Sequence, residues 1–258
     1  MMWTERTVTR AGVRLTCRDW NPHHPASTPP VVLLHGLAGH AGEWDAAAAH
    51  LAPHHRVVAV DQRGHGASER RPADVSRAAF VADVRAVCEQ LGVQRPVLVG
   101  QSLGGHTAML TAAAHPELVR GLVLVEAGEA WAAGLEQRAD GWHPRFERSV
   151  MVAAITENST RAWWPQWRAV RCPTLLVIGE KGIVPPEESV RMLDSADPST
   201  VTTAVSVPGS GHDVHLDRPA VVHSLLSAFL TGWTRPRSGL RQPGGRSDPR
   251  TATSFTRA

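Results

Sequence analysis

The chain has 258 residues, 42% hydrophobic and 20% charged, the proportions of a globular protein with one sizeable core. Its formal charge is +3, but residues 234–258 hold six Arg against one Asp, so the rest of the chain is slightly acidic. That distribution argues against nucleic acid as a partner of the body. No apolar run approaches membrane-spanning length, and the first residues, Met1-Met2-Trp3-Thr4-Glu5-Arg6, lack the apolar stretch of a signal peptide. The three cysteines, Cys17, Cys88 and Cys172, are odd in number and far apart. They read as reduced core thiols of a cytoplasmic protein, with no metal cluster and no membrane partner expected.

In chain order, the first strand-like run is Val13–Trp20. Asn21–Pro30 (N-P-H-H-P-A-S-T-P-P) reads as a turn. Val31–Leu34 and Arg56–Asp61 are short apolar runs suited to buried strands. Phe80, Val84, Val87, Cys88 and Leu91 recur at three-and-four spacing and predict a helix. Strands are expected at Val97–Gly100 and Leu122–Glu126. From 127 to 170 the alternation stops, and five of the nine tryptophans fall there: Trp131, Trp142, Trp163, Trp164 and Trp167. This stretch reads as a small helical cap inserted into the sheet domain, with Trp131, Trp163 and Trp164 as an apolar pocket wall. Leu175–Gly179 and Val201–Val207 are the last strands expected. A helix carrying Val221, Val222, Leu225, Leu226, Phe229 and Leu230 follows the start signals Asp217 and Pro219. Residues 1–233 thus form one domain, and 234–258, rich in Pro, Gly, Ser and Arg, read as a disordered basic tail. The fold class is α/β: a doubly wound, mostly parallel sheet with helices on both sides. Ligands in such folds sit at the carboxyl ends of the strands.

Three of those strand ends carry chemistry. Gly100-Gln101-Ser102-Leu103-Gly104 joins a strand to a helix, and such a turn lifts the serine hydroxyl clear of its own backbone. Serine is a weak nucleophile and needs a neighbouring base, usually histidine. Pro208–Asp217, P-G-S-G-H-D-V-H-L-D, presents His212 after the last strand; His215 is its nearest competitor. Val31–Gly36, V-V-L-L-H-G, ends in small residues that leave backbone N–H groups free to face a bound oxygen. The expected oxyanion donors are the N–H groups of Leu37 and Leu103, the latter opening a helix whose dipole favours an anion. His35 is placed at the pocket by the same loop.

The H-G loop, D-Q-R-G-H-G at Asp61–Gly66, G-Q-S-L-G, and G-H before a Pro-started helix resemble the α/β-hydrolase superfamily, from about Val31 to Leu230. The resemblance implies the α/β-hydrolase fold and a serine-dependent hydrolase of a carboxylic ester, thioester or lactone, working through an acyl-enzyme. It implies no cofactor and a small-molecule substrate; the tryptophans of the cap and Ala127–Leu135 favour an apolar acyl or aromatic group on that substrate. It also implies that Asp61–Gly66 is a structural loop, with His65 a hydrogen-bonding residue. Relatives that open epoxides or displace halide use Asp at the elbow; here it is Ser102, the next residue is Leu103 rather than Trp, and the chain has no Tyr. Carbon–carbon bond hydrolysis and perhydrolysis use the same triad and remain open alternatives. The family's acid usually lies in a G-x-x-D-x-x-V-P loop. This chain has Gly179-Glu180-Lys181-Gly182-Ile183-Val184-Pro185, one residue short and with glycine in place of Asp. Glu126, at the end of L-V-L-V-E, is the replacement expected, as in a subset of relatives; Glu180 is the alternative acid, then Glu187 or none. A rival from another class is a receptor-like α/β-hydrolase protein that binds a ligand with little turnover.

Overall fold

The computed structural model describes residues 2–25, 27–126, 135–138, 141–144, 146–160 and 162–232. Strands β1 (Thr4–Arg10) and β2 (Val13–Trp20) form a hairpin, joined through Ala11 (φ 48°) and Gly12 (φ 78°). Two successive residues at positive φ give a turn whose twist matches that of the paired strands. β1 is not among the strands expected from the sequence. Its T-E-R-T-V-T-R buries Val8 alone among seven residues, so the apolar signal of a buried strand is missing at this sheet edge.

The strands that follow are β3 (Val31–Leu34), β4 (Val57–Val60), β5 (Val97–Gln101), β6 (Gly121–Val125), β9 (Thr174–Gly179) and β10 (Thr202–Val207). Between β6 and β9 lies a separate ribbon, β7 (Leu135–Arg138) and β8 (Gly141–Pro144). The main sheet has eight strands in the order β1-β2-β4-β3-β5-β6-β9-β10, antiparallel through β1, β2 and β4 and parallel beyond. Seven of these match the expected runs to within one residue at each end. This is the doubly wound sheet expected.

Alternate residues of the parallel strands face opposite sides, and each side has its own core. Val32, Leu34, Val58, Val60 and Leu98 pack under Val84 and Val87 of α2 (Arg77–Leu91) and Ala108 of α3 (Leu103–Ala114). Val31, Leu33, Val57, Ala59, Val97 and Val99 pack under α1 (Asp45–Leu51) and Val222 and Leu226 of α8 (Pro219–Thr231). Ser76 caps α2 by accepting from Ala79 N (3.2 Å), and Gly92 at φ 64° ends it. Cys17, Cys88 and Cys172 are free and buried.

The insertion is not purely helical. Its described part holds the β7–β8 ribbon, then α4 (Arg148–Thr160) and α5 (Trp164–Arg168). The remaining helices are α6 (Pro186–Ser195) and α7 (Val214–Asp217). The residues expected as a tail, 234–258, and Trp131 lie outside the described residues. Among the described residues no helix is long and apolar enough to cross a membrane.

Candidate active site

Ser102 stands between β5 and α3 at φ 49°, ψ −117°, a backbone conformation rarely adopted by residues with a side chain. Its neighbours explain how this is sustained. A Cβ on Gly100 would lie 2.3 Å from Gly104 O, and one on Gly104 would lie 2.2 Å from Leu34 O. Strand β5, the start of α3 and the end of β3 therefore touch backbone to backbone, which only glycine permits. Ser102 N donates to Val125 O (3.1 Å), and His106 N donates to Ser102 O (2.7 Å). Gly104→Ala is expected to cost at least the ~1–3 kcal/mol of an overpacked core, because the atoms it meets are backbone. A shifted denaturant midpoint would measure this; an unchanged midpoint would show that the elbow has slack.

His212 reaches the same place from the loop after β10. The Gln101 side chain, 1% exposed, donates through Nε2 to Asp213 Oδ1 (3.0 Å) and His212 O (3.5 Å). Lys181 N donates to Ser210 O (2.9 Å), and a Cβ on Gly179 would lie 1.9 Å from Gly211 O. The loops after β5, β9 and β10 are thereby braced together. Gln101 is the positioning residue that the sequence reading passed over; its place directly before the elbow serine was the available signal.

Glu126 follows β6 and is 4% exposed. Its Oε2 accepts from Gly179 N (2.9 Å) and its Oε1 from Val184 N. Burial raises the carboxyl's pKa, and these two N–H groups oppose the rise. A Cβ on Gly182 would fall 1.3 Å from Glu126 Oε2 and 1.9 Å from its Cδ. The Glu126 carboxylate thus occupies the space that a side chain at 182 would fill.

Ser102, His212 and Glu126 line one cavity of about 420 Å³. Trp163, Trp164 and Trp167 supply aromatic wall, and Met109, Leu176 and Met192 line the cavity with them. Trp163 meets His106 edge-on, ring centroids 4.9 Å apart, and Arg191 lies over Trp164 (4.0 Å). The other acid candidate is elsewhere: Glu180 is exposed and accepts from Gly209 N (2.8 Å), outside the cavity lining. Glu187 is exposed in the first turn of α6 and is also outside that lining.

The expectation for His35 is corrected. Its ring is fully buried, with Nδ1 2.7 Å from Gly36 O and Nε2 accepting from Gln62 N (3.0 Å), and it does not line the cavity. Two backbone partners pin it inward, and burial lowers its pKa to about 3. In the Asp61–Gly66 loop, Asp61 accepts from Ala41 N (2.6 Å) and Ala67 N (2.8 Å), and His65 Nδ1 lies 2.9 Å from Arg63 O. These contacts hold loops. His215 stacks on Trp44 (4.4 Å) and is brought down to about 3 by burial and by His212.

Leu37 and Leu103 pack together with Phe80 and Ala154, seating the loop after β3 against the start of α3. In that loop Gly39 faces the Glu43 carboxyl. Burial, then Asp213, raises Glu43 from 4.5 to about 8. Its contribution to stability is full below pH 4.5 and is lost as pH rises from 4.5 to 8. The expected slope is at most about 1.4 kcal/mol per pH unit. Glu43→Gln should flatten this part of a plot of stability against pH; identical plots would refute the assignment.

Residues 29–151 match a family model described as alpha/beta hydrolase fold. An uncharacterized protein of Mycobacterium tuberculosis is 40% identical over 102 residues, covering 40% of this chain and 30% of that protein. The sn-1-specific diacylglycerol lipase of Mus musculus is 41% identical over 103 residues, covering 39% of this chain and 33% of the lipase. The matches to these two relatives thus span about a third of their lengths. The crystal structure of E-2-(acetamidomethylene)succinate hydrolase superposes with a TM-score of 0.77 at 20% identity, covering 89% of this chain and 99% of that one. At that identity the likeness is one of fold. Sheet order, motif order and family match make this chain an α/β-hydrolase-fold protein.

Proposed function

We propose that the chain is a serine-dependent hydrolase of carboxylic esters, thioesters or lactones whose substrate carries an apolar acyl or aromatic group. The observation that carries this reading is the single cavity lined by the strained Ser102, by His212 and by Glu126. Ser102 Oγ attacks the substrate carbonyl carbon while His212 takes its proton. The carbonyl oxygen becomes an oxyanion, held by the N–H groups of Leu37 and Leu103. Collapse breaks the bond from the carbonyl carbon to the leaving oxygen, or to sulfur in a thioester, and His212 returns the proton to that atom. Water then attacks the acyl-enzyme by the same steps in reverse roles and frees the acid. Glu126 orients the His212 ring and stabilises its cationic form.

The names of relatives, a diacylglycerol lipase and a succinate-derivative hydrolase among them, fit hydrolysis without selecting a substrate. A fluorophosphonate probe tests the reading, since it reacts only with an activated serine. Wild type should be labelled stoichiometrically, and Ser102→Ala should not. A folded wild type that resists the probe would favour the ligand-binding alternative.

A further inference from the structure

The cavity has a direction. Ser102, Gly105, His106 and Met109 all line it, and their spacing places them along one face of α3. From Ser102 to Met109 the helix rises about 10.5 Å. The inner end is closed by core residues: Met109 is 7% exposed, Leu176 1% and Trp167 3%. Trp167 Nε1 donates to Met192 O (2.9 Å), which ties α5 to α6 across that end. The outer end carries exposed Ile183 and Glu188.

A two-step reaction makes different demands on the two halves of an ester. The alcohol must leave after the first step, whereas the acyl group stays on the serine until water arrives. A pocket closed at its far end suits the part that stays. We infer that the cavity holds an unbranched acyl chain of medium length, with Met109 and Met192 setting the longest chain accepted; this rests on the hydrolase reading above. A zigzag of 1.52 Å bonds at 111° advances about 1.25 Å per carbon, so the path along α3 takes roughly eight carbons. The thioethers of buried Met109 and half-buried Met192, both lining the cavity, are soft, adaptable surfaces for such a chain.

The test uses two ester series on the full chain, one varying the acyl chain and one varying the alcohol. In the acyl series kcat/KM should rise about fourfold per methylene until the pocket is full near eight carbons, then fall. The alcohol series should stay flat. Met109→Trp and, from the opposite wall, Met192→Phe should move the break to shorter acyl chains and lower the octanoyl-to-butyryl preference about tenfold or more. Met109→Ala should move it to longer ones. A flat acyl series, a rise in the alcohol series, or a break that neither wall variant moves would overturn the inference while leaving hydrolysis intact. If wild type hydrolyses no ester, the hydrolase reading itself fails. Saturated fatty acids of graded length, titrated into Ser102→Ala by tryptophan fluorescence, then decide the pocket alone. Tightening with length up to about eight carbons upholds it, and absence of binding ends it.

Discussion

Ser102→Ala and His212→Ala should each lower ester turnover by about six orders of magnitude, and the double variant should be no worse than either. The reason is that, in the proposed mechanism, the two groups act as one unit. Without the hydroxyl there is nothing for the imidazole to deprotonate, and without the imidazole the hydroxyl keeps its proton. What survives in all three variants is the contribution of the oxyanion donors and of substrate binding, expected at about three to four orders of magnitude over water. Ser102→Ala should fold well, because alanine relieves no contact that Ser102 makes through its backbone to Val125 and His106. Single-turnover kinetics on all three variants would check the pattern. Independent, multiplying losses would mean that the two side chains serve different steps, and the proposed proton transfer would be wrong.

The second large effect concerns the acid. Glu126→Gln should lower kcat by about four orders of magnitude, as loss of a triad carboxylate does when the imidazole loses its orienting anion. Glu180→Gln should change little, since its carboxylate serves the Gly209 N–H outside the cavity. The stronger version of this test exploits Gly182. Its missing side chain and the Glu126 carboxylate compete for one volume, 1.3 Å separating Oε2 from the position of a Cβ. Gly182→Asp alone should therefore collide with Glu126 and disturb the loop. Combined with Glu126→Ala, the new carboxylate has the vacated space and the Gly179 and Val184 N–H groups beside it. The pair should recover about two orders of magnitude of the lost turnover, at the lower end of what acid–base assistance supplies. Near-normal turnover in Glu126→Gln, with collapse in Glu180→Gln, would transfer the role to Glu180.

Much of the fold was readable because its strands are buried on both faces. Val31–Leu34 and Val97–Gly100 are unbroken apolar runs, and such runs report a parallel sheet wherever they fall. β1 escaped notice because an edge strand facing water needs no such run. The ribbon β7–β8 escaped because a span with five tryptophans reads as packing mass, with nothing in its spacing to signal a hairpin. His35 was misplaced for a related reason: a histidine in a strand-end loop has the same one-dimensional context whether its ring turns toward substrate or, as here, inward to Gln62.

The elbow, the buried parallel strands and the candidate groups Ser102 and His212 were legible in the sequence alone, because each is written in a local run of a few residues. Glycines beside a serine, an apolar run before it and a helix after it are short-range facts. Tertiary structure alone decided that Glu126, and neither Glu180 nor Glu187, lines the cavity. Glu126 is 56 residues from Gly182 along the chain, and only the pairing of β6 with β9 sets its carboxylate into the gap that the glycine leaves. It likewise brought Met109, Trp167 and Met192 from three helices to the lining of one cavity. Occupancy of a common volume is a property of packing, and no single stretch of chain carries it.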